Sequence, residues 1–343
     1  MGAVLRSRTL LFLLAVLACV PLLAACGDDD GGDNATPLTA AQAFPPSSDP
    51  AKNIPEDLRG KVNVVVAGVD WFVGENNFVF GITNKDDLPQ GGAVARATFY
   101  DLSDPKNPKA GFQAEATASA PGVHPEQEHI HPGNEVHIHG GEDEGRAGYY
   151  VKVNFPHAGP WGIAVEALLE DGTKGISSVG FLVEEEAQVP APGQAAPKSD
   201  NLVASDVDDI RKIDSGDPPN DMHSVKISEA ISKGRPLVVV FSTPAFCTSR
   251  FCGPVNQEVE DLQTKYRDRV DFVHIEIWLD RQNNVFNPTA KEWLLRPEGN
   301  LVEPYVYAIG KDGVIYDRWE GPVAANIMDA SVRAIADGKT YGQ

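Results

Sequence analysis

Pro236-Leu-Val-Val-Val-Phe-Ser-Thr-Pro-Ala-Phe-Cys247-Thr-Ser-Arg-Phe-Cys252-Gly-Pro-Val255 is the segment on which the interpretation of this chain depends. Residues 237–240 are consecutive β-favouring apolar residues, which predicts a fully buried strand that ends at Ser-Thr-Pro. Apolar residues then recur every three to four positions to about residue 269, which predicts a helix. The two cysteines therefore lie where a central strand passes into a helix, a place where open α/β sheets usually display reactive groups.

This segment resembles the active site of thioredoxin-like proteins, in which an apolar strand leads into an aromatic–Cys pair at the start of a helix. Phe246-Cys247 and Phe251-Cys252-Gly-Pro254 both match that pair. The resemblance covers residues 202–343 and implies an α/β thioredoxin-like domain, ordered as strand, cysteine-bearing helix, strand, strand hairpin and final helix. It also implies that Pro304 is in cis beside the cysteines. Four residues separate the cysteines in this chain, whereas two residues separate them in thioredoxin.

Residues 1–25 contain the three regions of a secretory signal peptide in the usual order. Arg6 and Arg8 are followed by an apolar run and then by small residues. The final Leu-Ala-Ala-Cys26 resembles the lipobox of bacterial lipoproteins, which implies that Cys26 is acylated and becomes the mature N-terminus. The alternative, a membrane-spanning helix, is disfavoured because the apolar run is short for a hydrocarbon layer about 30 Å thick. We therefore expect a lipid anchor at the extracytoplasmic face of the cell membrane.

Cysteine count and charge narrow the possible partners. Of the four cysteines, Cys19 leaves with the signal peptide and Cys26 carries lipid, so Cys247 and Cys252 have only each other. An extracytoplasmic compartment permits disulfides, and an intramolecular Cys247–Cys252 bridge is expected. The net charge of -20 makes nucleic acid an improbable partner, because such a surface repels phosphate. The expected partners are extracytoplasmic protein thiols and disulfides, with membrane contact through the lipid.

The rest of the chain divides by composition. Residues 26–59 are rich in Asp, Gly, Ala and Pro and are predicted to be a disordered tether, and residues 187–201 a Pro/Ala linker. Residues 60–186 alternate β-rich runs with turn signals, which predicts an all-β immunoglobulin-like sandwich with Tyr149 and Trp161 in its core. The segment around Trp161 resembles sandwich domains of copper-handling and oxidase-assembly proteins. The candidate strands are residues 62–69, 77–83, 93–100, 112–118, 149–155, 161–169 and 176–183.

A histidine-rich segment lies between the fourth and fifth candidate strands. A five-residue hairpin loop at residues 132–136 would place His131 opposite His137 and His129 opposite His139. Four neutral imidazoles on one surface could hold Cu or Zn. The alternative is a solvated polar insertion, and no cofactor is required elsewhere in the chain.

The chemistry expected of the cysteines is thiol–disulfide exchange, in which a thiolate attacks. In the preferred register Cys247 attacks, Cys252 resolves, Arg250 favours the thiolate and Pro304 presents the substrate backbone. In the second register Cys252 takes the place of the first thioredoxin cysteine, and Cys247 resolves from upstream.

Three other functions remain open. The strand before the cysteines lacks the acid that thioredoxins keep there, and Glu303 is expected to place a negative charge near the thiolate. If these features prevent a reactive thiolate, the Cys247–Cys252 disulfide is structural and the domain is a non-catalytic binding module. The four-residue spacing also resembles peroxiredoxin-like thiol peroxidases, although Thr243 is one residue further from Cys247 than their threonine. A copper metallochaperone is the last alternative, but no histidine follows His274, which is itself expected to be structural.

Overall fold

The structure is a computed structural model that describes residues 54–104, 106, 108–119, 127–131, 135–139, 148–247 and 251–343. The signal peptide, Cys26 and Arg250 lie outside the described residues, so what was predicted for them stays a prediction. The described residues all belong to one compact unit. Within them, no helix combines the length and the apolar character needed to span a bilayer.

The described residues of the N-terminal part, up to Val183, form strands and the turns between them. Two sheets of four strands each have the orders β1-β2-β8-β5 and β10-β9-β3-β4, and β6 and β7 form a separate hairpin. All the pairings in these sheets are antiparallel. The strands are β1 (Val62–Val66), β2 (Gly74–Asn84), β3 (Val94–Asp101), β4 (Lys109–Glu115), β5 (Thr117–Ser119), β6 (Gln127–His131), β7 (Glu135–His139), β8 (Gly148–Phe155), β9 (Gly159–Leu168) and β10 (Lys174–Val183).

Aromatic side chains fill the space that both four-stranded sheets face. Phe78 of β2, Phe155 of β8 and Phe99 of β3 are fully buried. The Phe78 and Phe99 rings meet edge to face at 5.1 Å, and the rings of Phe155 and Trp161 are 5.2 Å apart. Tyr149 and Trp161 are buried, which confirms the core positions predicted for them. Contacts of this kind add to the free energy gained by burying apolar surface.

The candidate strand at residues 112–118 is two strands, so that prediction is wrong. β4 pairs with β3, whereas β5 pairs with β8 in the other sheet. At the change of sheet, the N–H of Ala116 donates to the carbonyl of Ala95 over 3.1 Å. Alternation of residue types reveals an extended chain but not a change of pairing partner, which is why the sequence did not show the break.

The histidine-rich segment forms the predicted hairpin in a different register. His129 pairs with His137, and His131 pairs with Glu135, so the predicted opposition of His131 to His137 is wrong. Three residues, 132–134, connect the strands instead of five. Ile130 pairs with Val136 in this register, and β-branched residue types have a high propensity for strands. The side chains of His129, His131, His137 and His139 lie outside what the structure describes, so metal binding there stays a prediction.

The C-terminal part combines a four-stranded sheet, and a two-stranded one formed by β13 and β14, with helices in the predicted order. The sheet order is β12-β11-β15-β16, with β11 and β12 parallel and the other pairs antiparallel. All six residues of the central strand β11 are buried, as predicted from its apolar run. The elements are α1 (Ile227–Ser232), β11 (Leu237–Ser242), α2 (Cys252–Tyr266), β12 (Asp271–Glu276), β13 (Trp278–Asp280), β14 (Val285–Phe286), α3 (Pro288–Leu294), β15 (Tyr305–Ile309), β16 (Ile315–Glu320) and α4 (Ala325–Ala336).

Helix α2 begins at Cys252 and ends at Tyr266, so a helix start at Cys247 and an end near residue 269 are both wrong. Proline has no N–H to donate, and in a helix interior this costs roughly 3 kcal/mol. A start at Cys247 would place Pro254 two turns into the helix. A start at Cys252 places it in the first turn, where its missing N–H would have no partner within the helix.

Arg318 of β16 joins the connection between β1 and β2 through a buried ion pair and also holds residues that lead out of the N-terminal part. Arg318 Nη2 lies 2.9 Å from Asp70 Oδ2, and both side chains are almost completely buried. The same guanidinium donates through Nη1 to the carbonyl oxygens of Val189 and Pro190 at 3.1 and 3.0 Å. These backbone bonds hold part of the 187–201 segment in place, because each unmade bond to a buried guanidinium would cost free energy.

Candidate active site

The two cysteines lie in the loop after β11 and at the first residue of α2. Cys247 is partly exposed, whereas Cys252 is fully buried. They form the expected disulfide, with their Cα atoms 5.9 Å apart. The backbone N–H of Cys252 donates to Sγ of Cys247 over 3.3 Å. Such an amide at a helix start favours a thiolate on Cys247 once the bond is reduced, because its dipole stabilises negative charge.

The loop before β15 reaches the sulfur atoms. The peptide bond between Glu303 and Pro304 is cis, as the resemblance implied. A carboxylate oxygen of Glu303 and the Sγ atoms of Cys247 and Cys252 all lie within 4.8 Å of one another. An ionisable carboxyl group therefore lies beside the disulfide.

The negative charge expected from Glu303 is absent at neutral pH. Burial and, to a smaller extent, the neighbouring carboxyl of Glu276 raise the pKa of Glu303 to about 8, against the opposing effect of Arg281. At pH 7 most of this carboxyl is consequently protonated, and it can donate a hydrogen bond instead of repelling a thiolate.

An apolar groove of about 680 Å³ lies beside the disulfide. One of its lining residues is Glu303, whose carboxylate is within 4.8 Å of both sulfur atoms. Trp278 and Phe286 stack at 4.1 Å in its wall, and the guanidinium of Arg281 lies 4.7 Å above the Trp278 ring. Phe246 and Phe251, each of which directly precedes a cysteine, are part of the same wall. Other lining residues are Ala67 and Pro322.

A cluster of buried polar side chains joins β12 to the loop before α1. Asp214, His223 and His274 are at most 3% exposed. His223 Nε2 lies 2.9 Å from Asp214 Oδ2, and His274 Nδ1 lies 3.4 Å from the same oxygen. The two imidazole rings are 5.1 Å apart between centroids. Two imidazole nitrogens thus converge on one carboxylate oxygen, and all three groups are potential ligands or proton-transfer groups.

Charge in this cluster is balanced inside the protein. Burial acts to raise the pKa of Asp214, but the hydrogen bond from His223 and the neighbouring imidazole of His274 outweigh it and hold that pKa well below its usual range. Burial lowers the pKa of His223, and its hydrogen bond to Asp214 offsets this only in part. Burial also acts to lower the pKa of His274, but Asp214 outweighs burial and raises it. Asp214 therefore stays ionised at a fully buried position.

The cluster reaches the cysteine-bearing helix through two polar residues. Ser242, the last residue of β11, lies 3.0 Å from His274 Nε2 and donates to Asn256 Oδ1 over 2.6 Å. Asn256 follows Cys252 by four residues in α2, so the two lie on the same face of the helix. Hydrogen bonds thus connect the first turns of α2 to Asp214.

A buried acid, Glu276, lies on β12, the neighbour of the strand that precedes the cysteines. The strand before the cysteines, β11, contains no acid itself. Glu276 of β12 pairs in register with Ser242 of β11, the strand that precedes the cysteines. Its Oε2 accepts the N–H of Ser215 at 2.9 Å, and its Oε1 has no hydrogen-bond partner among the described residues. Burial raises the pKa of Glu276, with His274 opposing the shift.

Of the site residues predicted from sequence, the structure brings Cys247, Cys252 and Pro304 to one place. Arg250 lies outside the described residues. No site role was predicted for Asp214 or His223. The cluster that they form with His274 combines the loop before α1 with β12, which are distant in sequence, so no motif spacing could have revealed it. Burial of titratable groups was the missing signal.

Comparison with solved structures finds only weak likeness. A thioredoxin-family thiol:disulfide interchange protein from Chlorobium tepidum TLS is 15% identical, with a TM-score of 0.27, over 44% of this chain and 99% of that one. Trgpx in its apo form is 15% identical, with a TM-score of 0.25, over 36% and 91%. The CARDB domain of a Pyrococcus furiosus protein is 11% identical, with a TM-score of 0.18, over 37% and 93%. No protein-family model and no curated protein matches this chain.

Proposed function

We propose that this chain is a thioredoxin-like redox protein that exchanges disulfides with extracytoplasmic proteins through Cys247 and Cys252. The observation that carries the proposal is the unequal exposure of the two bonded sulfurs. A partly exposed Cys247 can meet another protein, while a buried Cys252 can reach only Cys247. This division suits one attacking and one resolving cysteine.

The reaction moves two electrons from the dithiol to a substrate disulfide. The Cys247 thiolate attacks one substrate sulfur, a mixed disulfide forms, and the other substrate sulfur leaves as a thiolate that takes up a proton. Cys252, after losing its proton, then attacks Sγ of Cys247, which releases the second substrate thiol and restores the Cys247–Cys252 bond. The reverse sequence oxidises a substrate dithiol.

Fold assignments accompany this proposal. The C-terminal part is proposed to be a thioredoxin-like domain, because a cysteine-bearing helix follows a buried central strand and a cis Glu303–Pro304 bond precedes β15. The N-terminal part is proposed to be an immunoglobulin-like sandwich, because its two antiparallel sheets enclose an aromatic core. Trp278 and Phe286 in the groove suit an apolar substrate side chain next to the reacting cysteine.

The reduction potential of the Cys247–Cys252 pair tests the redox function. We expect about −180 to −230 mV, the range of glutaredoxins and protein disulfide isomerase, together with reduction of insulin disulfides. Titration in glutathione buffers with alkylation of free thiols measures it, and Cys247→Ser serves as the inactive control. A potential below about −300 mV without insulin reduction would show a structural bridge. Peroxide consumption with a thiol donor, without insulin reduction, would show a thiol peroxidase.

Anchoring through Cys26 is part of the proposal, with its own prediction. Cys26→Ser should leave the precursor unprocessed or move the protein to the soluble fraction, because the acylated sulfur is gone. Membrane fractionation and mass spectrometry of the N-terminus measure this. Cys19→Ser, which changes a cysteine inside the signal peptide, is the matched control and should remain anchored. Unchanged acylation in Cys26→Ser would contradict the anchor.

A copper-carrying role is the second candidate, because Cys247, Cys252 and Glu303 place two sulfurs and an oxygen within 4.8 Å. Cu(I) prefers soft thiolate ligands, and a carboxylate is a hard one. The donor set therefore fits Cu(I) less well than it fits disulfide exchange. Titration of the reduced protein with Cu(I) separates the two roles.

A further inference from the structure

We propose that Asp214, His223 and His274 form a buried binding site for one divalent zinc-type cation. These residues are neither the cysteines nor the histidines of the hairpin. The three side chains come from the loop before α1 and from β12, and each is at most 3% exposed. Their ligand atoms, one from each side chain, all lie within 4.8 Å of one another.

The separations suit a small cation. Zinc binds imidazole nitrogen and carboxylate oxygen at about 2.0 to 2.2 Å, so ligand atoms that share one tetrahedral ion lie about 3.3 to 3.6 Å apart. The His223 Nε2 to Asp214 Oδ2 distance is 2.9 Å, and the His274 Nδ1 to Asp214 Oδ2 distance is 3.4 Å. Binding therefore needs adjustments of side-chain angle, not a rearrangement of the loop.

Hydrogen bonds around His274 show that Nδ1, the ring nitrogen that faces Asp214, carries a lone pair and not a proton. The N–H of Met222 donates to Asn220 Oδ1 at 3.0 Å, so the Asn220 amide group that lies 2.9 Å from His274 Nδ1 is its NH₂. Because the NH₂ group can only donate, Nδ1 is an acceptor.

The other ring nitrogen of His274 carries the proton. Ser242 uses its hydroxyl hydrogen on Asn256 Oδ1 at 2.6 Å, so its oxygen accepts from His274 Nε2 at 3.0 Å. Without an ion, Nδ1 of His274 therefore has no proton to donate to Asp214, and its lone pair accepts the Asn220 N–H. A cation between Nδ1 and Asp214 would bind this lone pair in place of Asn220.

The surroundings have the form of an outer coordination shell. Metal-bound imidazoles usually donate their other N–H to an oxygen, as His274 does to Ser242. The ligating carboxylate of Asp214 is oriented by the N–H groups of Gly216 and Asn220 at 2.7 and 2.9 Å. These bonds hold the ligands in place before the ion arrives.

Charge and access also favour a cation. The carboxylates of Asp221 and Glu260 interact electrostatically with the groups of this cluster, and each favours a bound cation when it is ionised. Ser215 and Asn220, next to the site, are partly exposed, and Asp217 between them is exposed. Only a short surface loop therefore separates the ligands from solvent.

The donor set suggests Zn(II), and the fold suggests its role. Two imidazoles and one carboxylate are ligands that zinc accepts, with a remaining position for water. The ion would fasten the loop of Asp214 to β12 and, through Ser242, to the end of β11 from which the cysteine loop departs. Because zinc does not change oxidation state, the expected effect is on stability and not on electron transfer.

Zinc content and histidine NMR test the site in the mature, oxidised, full-length chain. His129, His131, His137 and His139 are changed to Ala so that the hairpin cannot bind, and the intact disulfide removes the thiolates. After overnight loading with Zn(II) and gel filtration, we expect one zinc per chain, a raised melting temperature, and ¹⁵N shifts at His223 Nε2 and His274 Nδ1.

Single variants in the same background give the control. His223→Gln should weaken zinc binding by more than the roughly 10- to 100-fold that loss of an outer-shell partner costs. His157→Gln, at a histidine whose side chain is 43% exposed, should leave binding unchanged. If zinc is not retained, or if saturating zinc leaves both ring nitrogens unshifted, the site is only a hydrogen-bonded cluster. The NMR result decides even if His223→Gln fails to fold.

Discussion

Replacing Cys252 by serine is expected to stop the protein at a mixed disulfide between Cys247 and its substrate. The variant keeps the partly exposed attacking sulfur but loses the thiol that releases the product. A serine hydroxyl cannot attack a disulfide under these conditions, so turnover should fall by a factor on the order of 100 or more. Reduced Cys252→Ser is mixed with insulin, quenched with acid, and analysed by mass spectrometry for a covalent adduct at Cys247.

The reciprocal variant gives the control for this trap. In Cys247→Ser the remaining Cys252 is fully buried at the start of α2, so it should form no adduct and alkylate slowly. The double variant should form none. An adduct at Cys252 but not at Cys247 would support the second register, in which Cys252 attacks. No adduct in either single variant would show that the bridge is structural and that the redox proposal is wrong.

Strong local patterns allowed much of the fold to be predicted. The run at residues 237–240 is apolar at every position, and β11 is buried at every position, because a central strand has neighbours on both faces. The order of elements after it also agrees with the prediction. Local patterns did not reveal choices between partners, such as the change of sheet at Ala116 or the pairing of His129 with His137. Those choices depend on tertiary contacts that a single sequence does not display.

Only part of the candidate site could be predicted from the sequence. Cys247 and Cys252 could be identified by elimination, and Pro304 by its place before a strand. The protonated state of Glu303 could not, because it depends on burial and on Glu276, which lies in another strand. The cluster around Asp214 likewise could not be predicted, because only the fold brings two imidazoles to its carboxylate. Environment, and not residue type, decides the charge of such groups.

Glu303→Gln is expected to stabilise the oxidised protein, and by more as the pH rises. Burial raises the pKa of Glu303 to about 8 from its ordinary value of 4.5. Below about pH 4.5 the carboxyl is protonated in the folded and unfolded states alike, so the substitution changes little. Between that pH and about 8 the unfolded state loses the proton first, so the wild-type protein loses stability as pH rises. Above about pH 8 the full cost of the buried charge is present.

Glutamine retains the size of Glu303 and can donate a hydrogen bond, but it cannot ionise. The gain in the free energy of unfolding should therefore be small near pH 5 and grow to about 2 to 4 kcal/mol near pH 8, allowing for partial exposure. Urea unfolding at about pH 5, 6.5 and 8 with the disulfide intact measures it. Glu298→Gln, at an exposed position in the same loop, is the matched control and should show no such trend. If the two variants respond alike to pH, Glu303 is not held protonated beside the disulfide. If only Glu303→Gln gains stability, the carboxyl is neutral where the Cys247 thiolate forms, and the thiolate meets a hydrogen-bond donor there instead of a second negative charge.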